Sequence, residues 1–342
     1  MNRTTAPDGH PLSVLKPELE ELERRLREDL GAGGPFLRRE GLRLLESGGK
    51  RLRPAMAISA GHLGVYERER VLPVATAVEL IHMATLVHDD VIDEAKTRRS
   101  AATTFARHGA HTAVYAGDWL LVKALRSLSA LDAPRSDRPT EAAGITKRSS
   151  IPEALVSGLE SLCSGEVDQY LGRGRIPSLR VYLSRIERKT AALFAASCAA
   201  GATASGLDES VVRHCAAFGR AFGIAFQIQD DLLDVGALDA PAGKPTSHDL
   251  RQGIATLPFL LAARSDRAYR ERLEAFFREA ATADANDALS PQVRRLTAEM
   301  VKLGGVEAAR RTVLRYQNEA REHLSMLPAS SGRDMLAALA RL

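Results

Sequence analysis

The sequence predicts an all-α fold, a single-domain helical bundle, and three observations predict it. Apolar residues recur every three or four positions along most of the 342 residues, with charged residues between them. Alanine is abundant and β-branched residues come only in short runs, which favours helix. No stretch alternates apolar and polar residues with the period of two that a half-buried strand needs.

The elements follow in order. Residues 1–13 are polar, with Pro7, Gly9 and Pro11, and read as a disordered leader before one domain spanning 14–342. Leu19, Leu22, Leu26 and Leu30, then Leu37, Leu42 and Leu45, predict two amphipathic helices broken at Gly31–Gly34. Gly48-Gly49 ends the second, and Pro54 is placed to open the next at its first turn. That leaves Lys50-Arg51-Leu52-Arg53 as a basic cluster on the turn. Helices are expected from Pro54 to Leu63, from Pro73 to Asp93, and from near His108 to Leu131. Residues 94–100 are polar and loop-like, and Asp132 to Ser150 reads as a long exposed loop rich in Pro, Arg, Ser and Thr. Helical spacing resumes at Ile151–Leu171, at Ser178–Leu207 with Ser178 as N-cap, and at Val211–Val235. A loop holding Pro241 and Pro245 spans Gly236–Gly253, and about three more helices fill the rest, roughly ten in all.

Bulk properties exclude several function classes. A net charge of +4 without a polybasic block argues against nucleic acid and against a charged membrane surface. Cys163, Cys198 and Cys215 lack CxxC spacing, which suits a reduced compartment and gives no metal or redox motif. The uncharged run Thr190–Leu207 is mostly Ala, Ser, Thr and Gly, too weakly apolar to insert, so no stable membrane span is expected. The expected location is cytoplasmic.

The chemistry centres on two aspartate runs. His88-Asp89-Asp90-Val91-Ile92-Asp93 and Gln229-Asp230-Asp231-Leu232-Leu233-Asp234 each place carboxylates at i, i+1 and i+4. On a helix, i and i+4 share a face, so Asp89 stacks with Asp93 and Asp230 with Asp234. A single copy of this pattern reads equally well as a solvated acidic face. Two copies, each preceded by apolar residues, call for a compensating cation. Hard oxygen donors without His or Cys beside them fit Mg²⁺, which is commonly held by a few carboxylates together with substrate phosphates.

Cations lie nearby on loops and helix ends. Lys50 and Arg53 precede the first motif, Arg98 and Arg99 follow it, Lys189 precedes Thr190, and Lys244 follows the second motif. Arginine grips phosphate in a fork and lysine serves as a point charge. His82 lies two turns before Asp89 on the same face, where an ordinary core histidine is the plain alternative. Two basic groups around one metal cluster suggest two phosphate-bearing substrates.

Seven blocks then carry a resemblance: GGKRLRP (48–54), ELIHMATLVHDDVIDEAKTRRS (79–100), AGDWLL (116–121), GEVDQY (165–170), ERKTAALF (187–194), GIAFQIQDDLLDVG (223–236) and GKPTSHDLRQGIATLP (243–258). In this order they resemble the trans-polyprenyl diphosphate synthase family, long-chain-like, over about residues 48–258. The resemblance implies the isoprenoid synthase fold with a central active-site cavity, and a homodimer. It implies a Mg-dependent head-to-tail condensation of isopentenyl diphosphate with an allylic diphosphate. Asp89, Asp93 and Asp230 would be the main ligands of three Mg²⁺ ions, with Asp90, Asp231 and Asp234 supporting. Lys50, Arg53, His82 and Arg99 would hold isopentenyl diphosphate, and Arg98, Lys189 and Lys244 the allylic diphosphate. Thr190 and Gln227 would face the reacting carbons.

This chain departs from the family at two places. Ser100-Ala101-Ala102-Thr103 stands where GxPT is frequent, and Ile254 where many members carry a lysine over the allylic phosphate. The second change implies weaker allylic binding or a different lid.

The resemblance also implies that product length turns on the residues one to one-and-a-half turns before Asp89. Ala84, about 7.5 Å up the helix, and Thr85 are small, so the floor that would stop a growing chain reads as open, and a product beyond C20 is expected. Phe105, Trp119 and Phe194 are the nearest aromatic candidates for a cap. A short-chain synthase remains the alternative. A class I terpene cyclase, which needs no second diphosphate site, and a non-catalytic subunit with an eroded motif fit less well.

Overall fold

The structure is a computed structural model and describes residues 13–99, 101–129, 131, 150–237, 247–280 and 290–341. Most of the expected leader, the expected loop at 132–149, Ser100, Pro241, Pro245 and Lys244 lie outside the described residues.

The all-α expectation holds, with more and shorter helices than the roughly ten expected. In the first half run α1 (Lys16–Gly31), α2 (Pro35–Glu46), α3 (Leu52–Gly61), α4 (Arg68–Ile92) and α5 (Thr104–Ser129), the last broken by a kink at Gly109, φ 79°. After them come α6 (Ile151–Leu171), α7 (Leu179–Ile186), α8 (Ala192–Ala204), α9 (Glu209–Asp234) and α10 (His248–Arg251). The last are α11 (Leu257–Ser265), α12 (Arg267–Ala280), α13 (Ser290–Lys302), α14 (Gly305–Ser325) and α15 (Ser331–Leu339). Among the described residues five helices follow Ile254 where three were expected, and the shortest break between them is a single residue. Asp266 alone ends α11 and begins α12, its carboxylate accepting from Tyr269 N at 2.6 Å.

Other boundaries moved as well. Pro54 is the third residue of α3 and not its first, so Leu52 and Arg53 are helical. α4 begins five residues before Pro73, which sits in its second turn at the cost of one ladder hydrogen bond. The polar segment after α4 holds a small ribbon of β1 (Thr97–Arg98) and β2 (Ala101–Ala102), antiparallel, with Arg98 opposite Ala101. The single helix expected from Ser178 is interrupted by a π-helical turn at Glu187–Ala191. Its N-cap is as expected, with Ser178 Oγ accepting from Val181 N at 3.3 Å.

The chain divides into two compact units. The first comprises residues 1–157, 196–216 and 324–342, the second 158–195 and 217–323. In the first, Leu22, Leu26 and Leu30 form the fully buried stripe of α1, each worth about 2 kcal/mol. α4 against α5 is the most extensive pairing, and it is close: a Cβ at Gly117 would fall 2.2 Å from His88 Nε2. α8 lies equally tight on α3, where a Cβ at Gly201 would meet Ala57 O at 2.0 Å. α4 is long and apolar enough to cross a membrane, but 78% of that window is buried inside the protein, the mark of a core helix.

The second unit has its own core, with Tyr182, Ile228, Leu232, Phe259, Leu273, Phe276, Met300 and Val313 among its members. Phe222 and Phe226 stack one turn apart on α9, and Phe194 leans against both at 5.2 and 5.5 Å between ring centres. Gly165 of α6 allows backbone contact with the π-turn, since a Cβ there would lie 2.5 Å from Lys189 N.

Candidate active site

In the first unit, α4 delivers its aspartates in two different settings. Asp90 is buried, 3% exposed, and Arg98 Nε donates to its Oδ1 at 2.8 Å. Burial and the charge of Asp93 raise the Asp90 pKa, with Arg98 acting against them. Asp89 is half-buried and Asp93 exposed, one turn apart at the end of the helix. Glu94 then adopts a left-handed backbone, φ 49°, and reverses the chain so that the β1–β2 ribbon brings Arg98 back onto Asp90. Arg98, read from the sequence as a phosphate ligand, is therefore an ion-pair partner in this structure.

The basic residues gather around His82. Arg53 Nη1 lies 3.3 Å from His82 Nε2. Desolvation pushes the His82 pKa well below its usual value, and Arg53, Arg99, Arg51 and Arg98 push the same way. Desolvation also draws Arg53 down to about 10, still a cation at neutral pH. Arg99 is left-handed at φ 50°, and a Cβ at Gly49 would lie 3.2 Å from its Nη1 and 2.9 Å from Arg51 Nη1. Lys50 is exposed beside them.

Arg51 was not singled out from the sequence. It is left-handed at φ 49° and joins three elements: Nε donates to Glu23 at 2.7 Å, Nη1 to Glu79 at 2.6 Å, and Nη2 to Leu45 O at 3.1 Å. Burial opposes its charge, but Glu79 and Glu23 outweigh burial and raise its pKa. The available signal was Glu79 itself, an isolated carboxylate in an apolar run that requires a buried partner.

The chain-length pair separates. Ala84 is fully buried. Thr85 is half-buried, its Oγ1 donating to His82 O at 2.8 Å. Five residues turn a helix by about 500°, so Ala84 lies well round the helix from Asp89. Four residues return nearly to the same face, which is where Thr85 lies.

In the second unit, Asp231 is 2% exposed and both its oxygens accept hydrogen bonds. Tyr182 Oη donates to Oδ2, and Gln227 Nε2 donates to Oδ1 at 3.1 Å. Gln227 Oε1 in turn accepts from Thr190 Oγ1 at 2.7 Å. Burial, with a smaller push from the Asp230 charge, raises Asp231 to about 7, against those two donors and the Leu257 backbone N–H. Asp234 accepts from His248 N at 2.9 Å and Asp249 N at 3.2 Å, and Asp230 is exposed. Lys189 Nζ, on the π-turn, pairs with Glu166 at 2.9 Å. Ile254 is buried and its backbone bridges to Arg175, so the position of the missing lysine is filled by an apolar side chain. Tyr182, Glu166 and Asp249 are further residues that the sequence reading passed over, though Glu166 and Asp249 stand inside quoted blocks.

The donor chemistry fits a divalent metal ion. Asp249 is held well above its usual pKa by burial and then by Asp234, Asp231 and Asp230, with Lys189 opposing, so four carboxylates press on one another. In the first unit, Asp93 presses on Asp90 in the same way. Among the described residues no three His, Cys, Asp or Glu side chains already converge at ligand spacing.

An all-α scaffold with a DDxxD run on two long helices is the architecture of isoprenoid synthases. The sequence matches the family described as Polyprenyl synthetase over residues 35–291. It is 37% identical to the heptaprenyl diphosphate synthase component 2 of Geobacillus stearothermophilus over 322 residues, 94% of this chain and 92% of that one. The fold is similar to a crystal structure of a decaprenyl diphosphate synthase from Rhodobacter capsulatus, at TM-score 0.84 and 30% identity, covering 97% of this chain and 96% of that one. A polyprenyl synthase from Caulobacter crescentus CB15, complexed with calcium and isoprenyl diphosphate, gives TM-score 0.82 and 30% identity, covering 96% of this chain and 95% of that one. The chain belongs to the polyprenyl synthetase family and is a trans-polyprenyl diphosphate synthase, a prenyltransferase.

Proposed function

We propose that the chain condenses isopentenyl diphosphate with an allylic diphosphate, head to tail, and releases a product longer than C20. The observation that carries this reading is Arg53 lying 3.3 Å from His82 Nε2 with the guanidiniums of Arg51 and Arg99 both gathered at Gly49, a concentration of positive charge suited to a diphosphate.

Roles follow from that reading. Lys50, Arg53, His82 and Arg99 hold isopentenyl diphosphate. Lys189, Lys244 and Arg98 serve the allylic diphosphate, with Lys189 exchanging Glu166 for phosphate oxygen. Asp89, Asp93 and Asp230, supported by Asp90, Asp231 and Asp234, would hold Mg²⁺, three ions in the full complement. Bound there, magnesium supplies positive charge to the departing diphosphate. The allylic carbon–oxygen bond breaks with its electron pair leaving on diphosphate. The double bond of isopentenyl diphosphate attacks the allylic cation, and a proton passes to the released diphosphate. Oxygen lone pairs of Thr190 and Gln227 face the cation while water is excluded.

The partner subunit is read as a second copy of this chain in a cytoplasmic homodimer. Val114, Tyr115, Val122 and Leu125 leave an exposed apolar stripe along α5 that supports this reading. A dissimilar subunit is the second reading, favoured by the word component in the name of the Geobacillus relative.

One assay tests these points. Purified chain with Mg²⁺ and labelled isopentenyl diphosphate is offered dimethylallyl, geranyl, farnesyl and geranylgeranyl diphosphate in turn, and the dephosphorylated products are sized. A ladder beyond C20 is expected, from a species of twice the chain mass. A stop at C20 or below overturns the long product, and no turnover by the chain alone overturns the homodimer.

A further inference from the structure

We propose that Tyr182 is a positioning residue for the condensation, acting through Asp231 and Gln227 on Thr190. The inference rests on the reading that Thr190 and Gln227 face the reacting carbons. Tyr182 is 3% exposed on α7, inside the core of the second unit, and its hydroxyl donates to Asp231 Oδ2. That leaves Asp231 Oδ1 as the acceptor for Gln227, and an acceptor there selects the amide rotamer with Nε2 toward Asp231. Gln227 Oε1 is then turned to Thr190, whose hydroxyl hydrogen it accepts at 2.7 Å. With that hydrogen committed, the Thr190 lone pairs point away from Gln227. The chain of donors therefore decides which side chain presents lone pairs and which presents hydrogen.

The elements make the relay rigid. Tyr182 stands on the last regular stretch before the π-turn, and Thr190 stands within that turn. Gln227 and Asp231 are one turn apart on α9. A π-turn aims Thr190 at α9 and keeps Tyr182 on the same side, eight residues earlier. Without the Tyr182 hydroxyl, Asp231 keeps the Gln227 amide and the Leu257 backbone N–H but loses the side-chain donor that occupies Oδ2. The amide of Gln227 is then no longer fixed, and its flipped form presents N–H where a cation needs oxygen.

Tyr182→Phe keeps the ring and removes only the hydroxyl. The expected result is a fall in kcat of between about tenfold and a hundredfold, with KM for both substrates changed less than about twofold. Tyr269→Phe is the structural control. Tyr269 is another buried tyrosine of the same unit, and it donates to Leu296 O at 3.1 Å. This variant should melt earlier with kcat unchanged. A double-mutant cycle gives the decisive readout. If the relay operates, Tyr182→Phe costs little further rate in a Thr190→Val background. Additive losses, or wild-type kcat in Tyr182→Phe, overturn the proposal. If Tyr182→Phe does not fold, Asp231→Asn takes its place in the same cycle with the same two outcomes. Wild-type kcat in Thr190→Val alone would overturn the parent reading instead, so the two failures are distinct.

Discussion

Arg53 Nη1 donates toward His82 Nε2 at 3.3 Å, an arrangement that holds only while the imidazole is neutral. Folding thus lowers the His82 pKa below its ordinary value of 6.5. Between the folded and unfolded values, the unfolded chain binds more protons, so stability falls as pH falls. The contribution is complete above pH 6.5 and is lost progressively below it. Urea unfolding at pH 7.5 and pH 5.5 should show this slope, and His82→Gln should flatten it. Equal slopes in the two proteins would refute the assignment.

Arg51 neutralises Glu79, whose side chain is only 3% exposed. Arg51→Ala strands that carboxylate, at a cost of about 3–5 kcal/mol. Adding Glu79→Gln should recover part of the loss. Denaturant midpoints of the single and double variants check both statements.

The two adjacent aspartates of the second motif should separate cleanly. Asp230→Ala removes an exposed side chain and should change stability by less than about 0.5 kcal/mol while abolishing turnover. Asp231→Ala removes the acceptor for Tyr182 and Gln227, costing about 2–3 kcal/mol. Full activity in Asp230→Ala would end its role as a metal ligand.

Thr85, not Ala84, shares the open face of α4 with Asp89. Thr85→Phe should shorten the product with little loss of stability, whereas Ala84→Phe overpacks a closed site and costs about 1–3 kcal/mol. Product sizing and thermal melts on the pair distinguish them. An unaltered ladder from Thr85→Phe would show that this face does not meet the growing chain.

Gly165→Ala drives a methyl to 2.5 Å from Lys189 N, where backbone and not a flexible side chain must yield. A loss of about 1–3 kcal/mol is expected, with weaker binding of the allylic substrate as the π-turn shifts. Normal melting and normal KM would mean that α6 adjusts freely.

What the sequence made legible was local. The i and i+4 spacing of each DDxxD run, the N-cap at Ser178 and the Gly31–Gly34 break are short-range signals, and each found its place. Arg51 escaped because its partners Glu23 and Glu79 are each 28 residues away, and a cation among cations gives no hint of which one is committed. The sequence names Ala84 and Thr85 together for the floor, and angle around the helix, which spacing along the chain does not show, sets the two side chains in different surroundings. The π-turn was invisible because apolar spacing on either side of it still looks helical. The one-residue separation at Asp266 hid two helices inside one pattern.

The π-turn also sets a rule for recombination. A segment of uninterrupted α-helix exchanged across Glu187–Ala191 would arrive with its downstream half turned by about 100°. Phe194 would swing away from Phe222 and Phe226, and small residues would meet them instead. Chimeras of this chain with relatives should therefore take their junctions before Glu187 or after Ala191, and keep the five residues between as one inherited block.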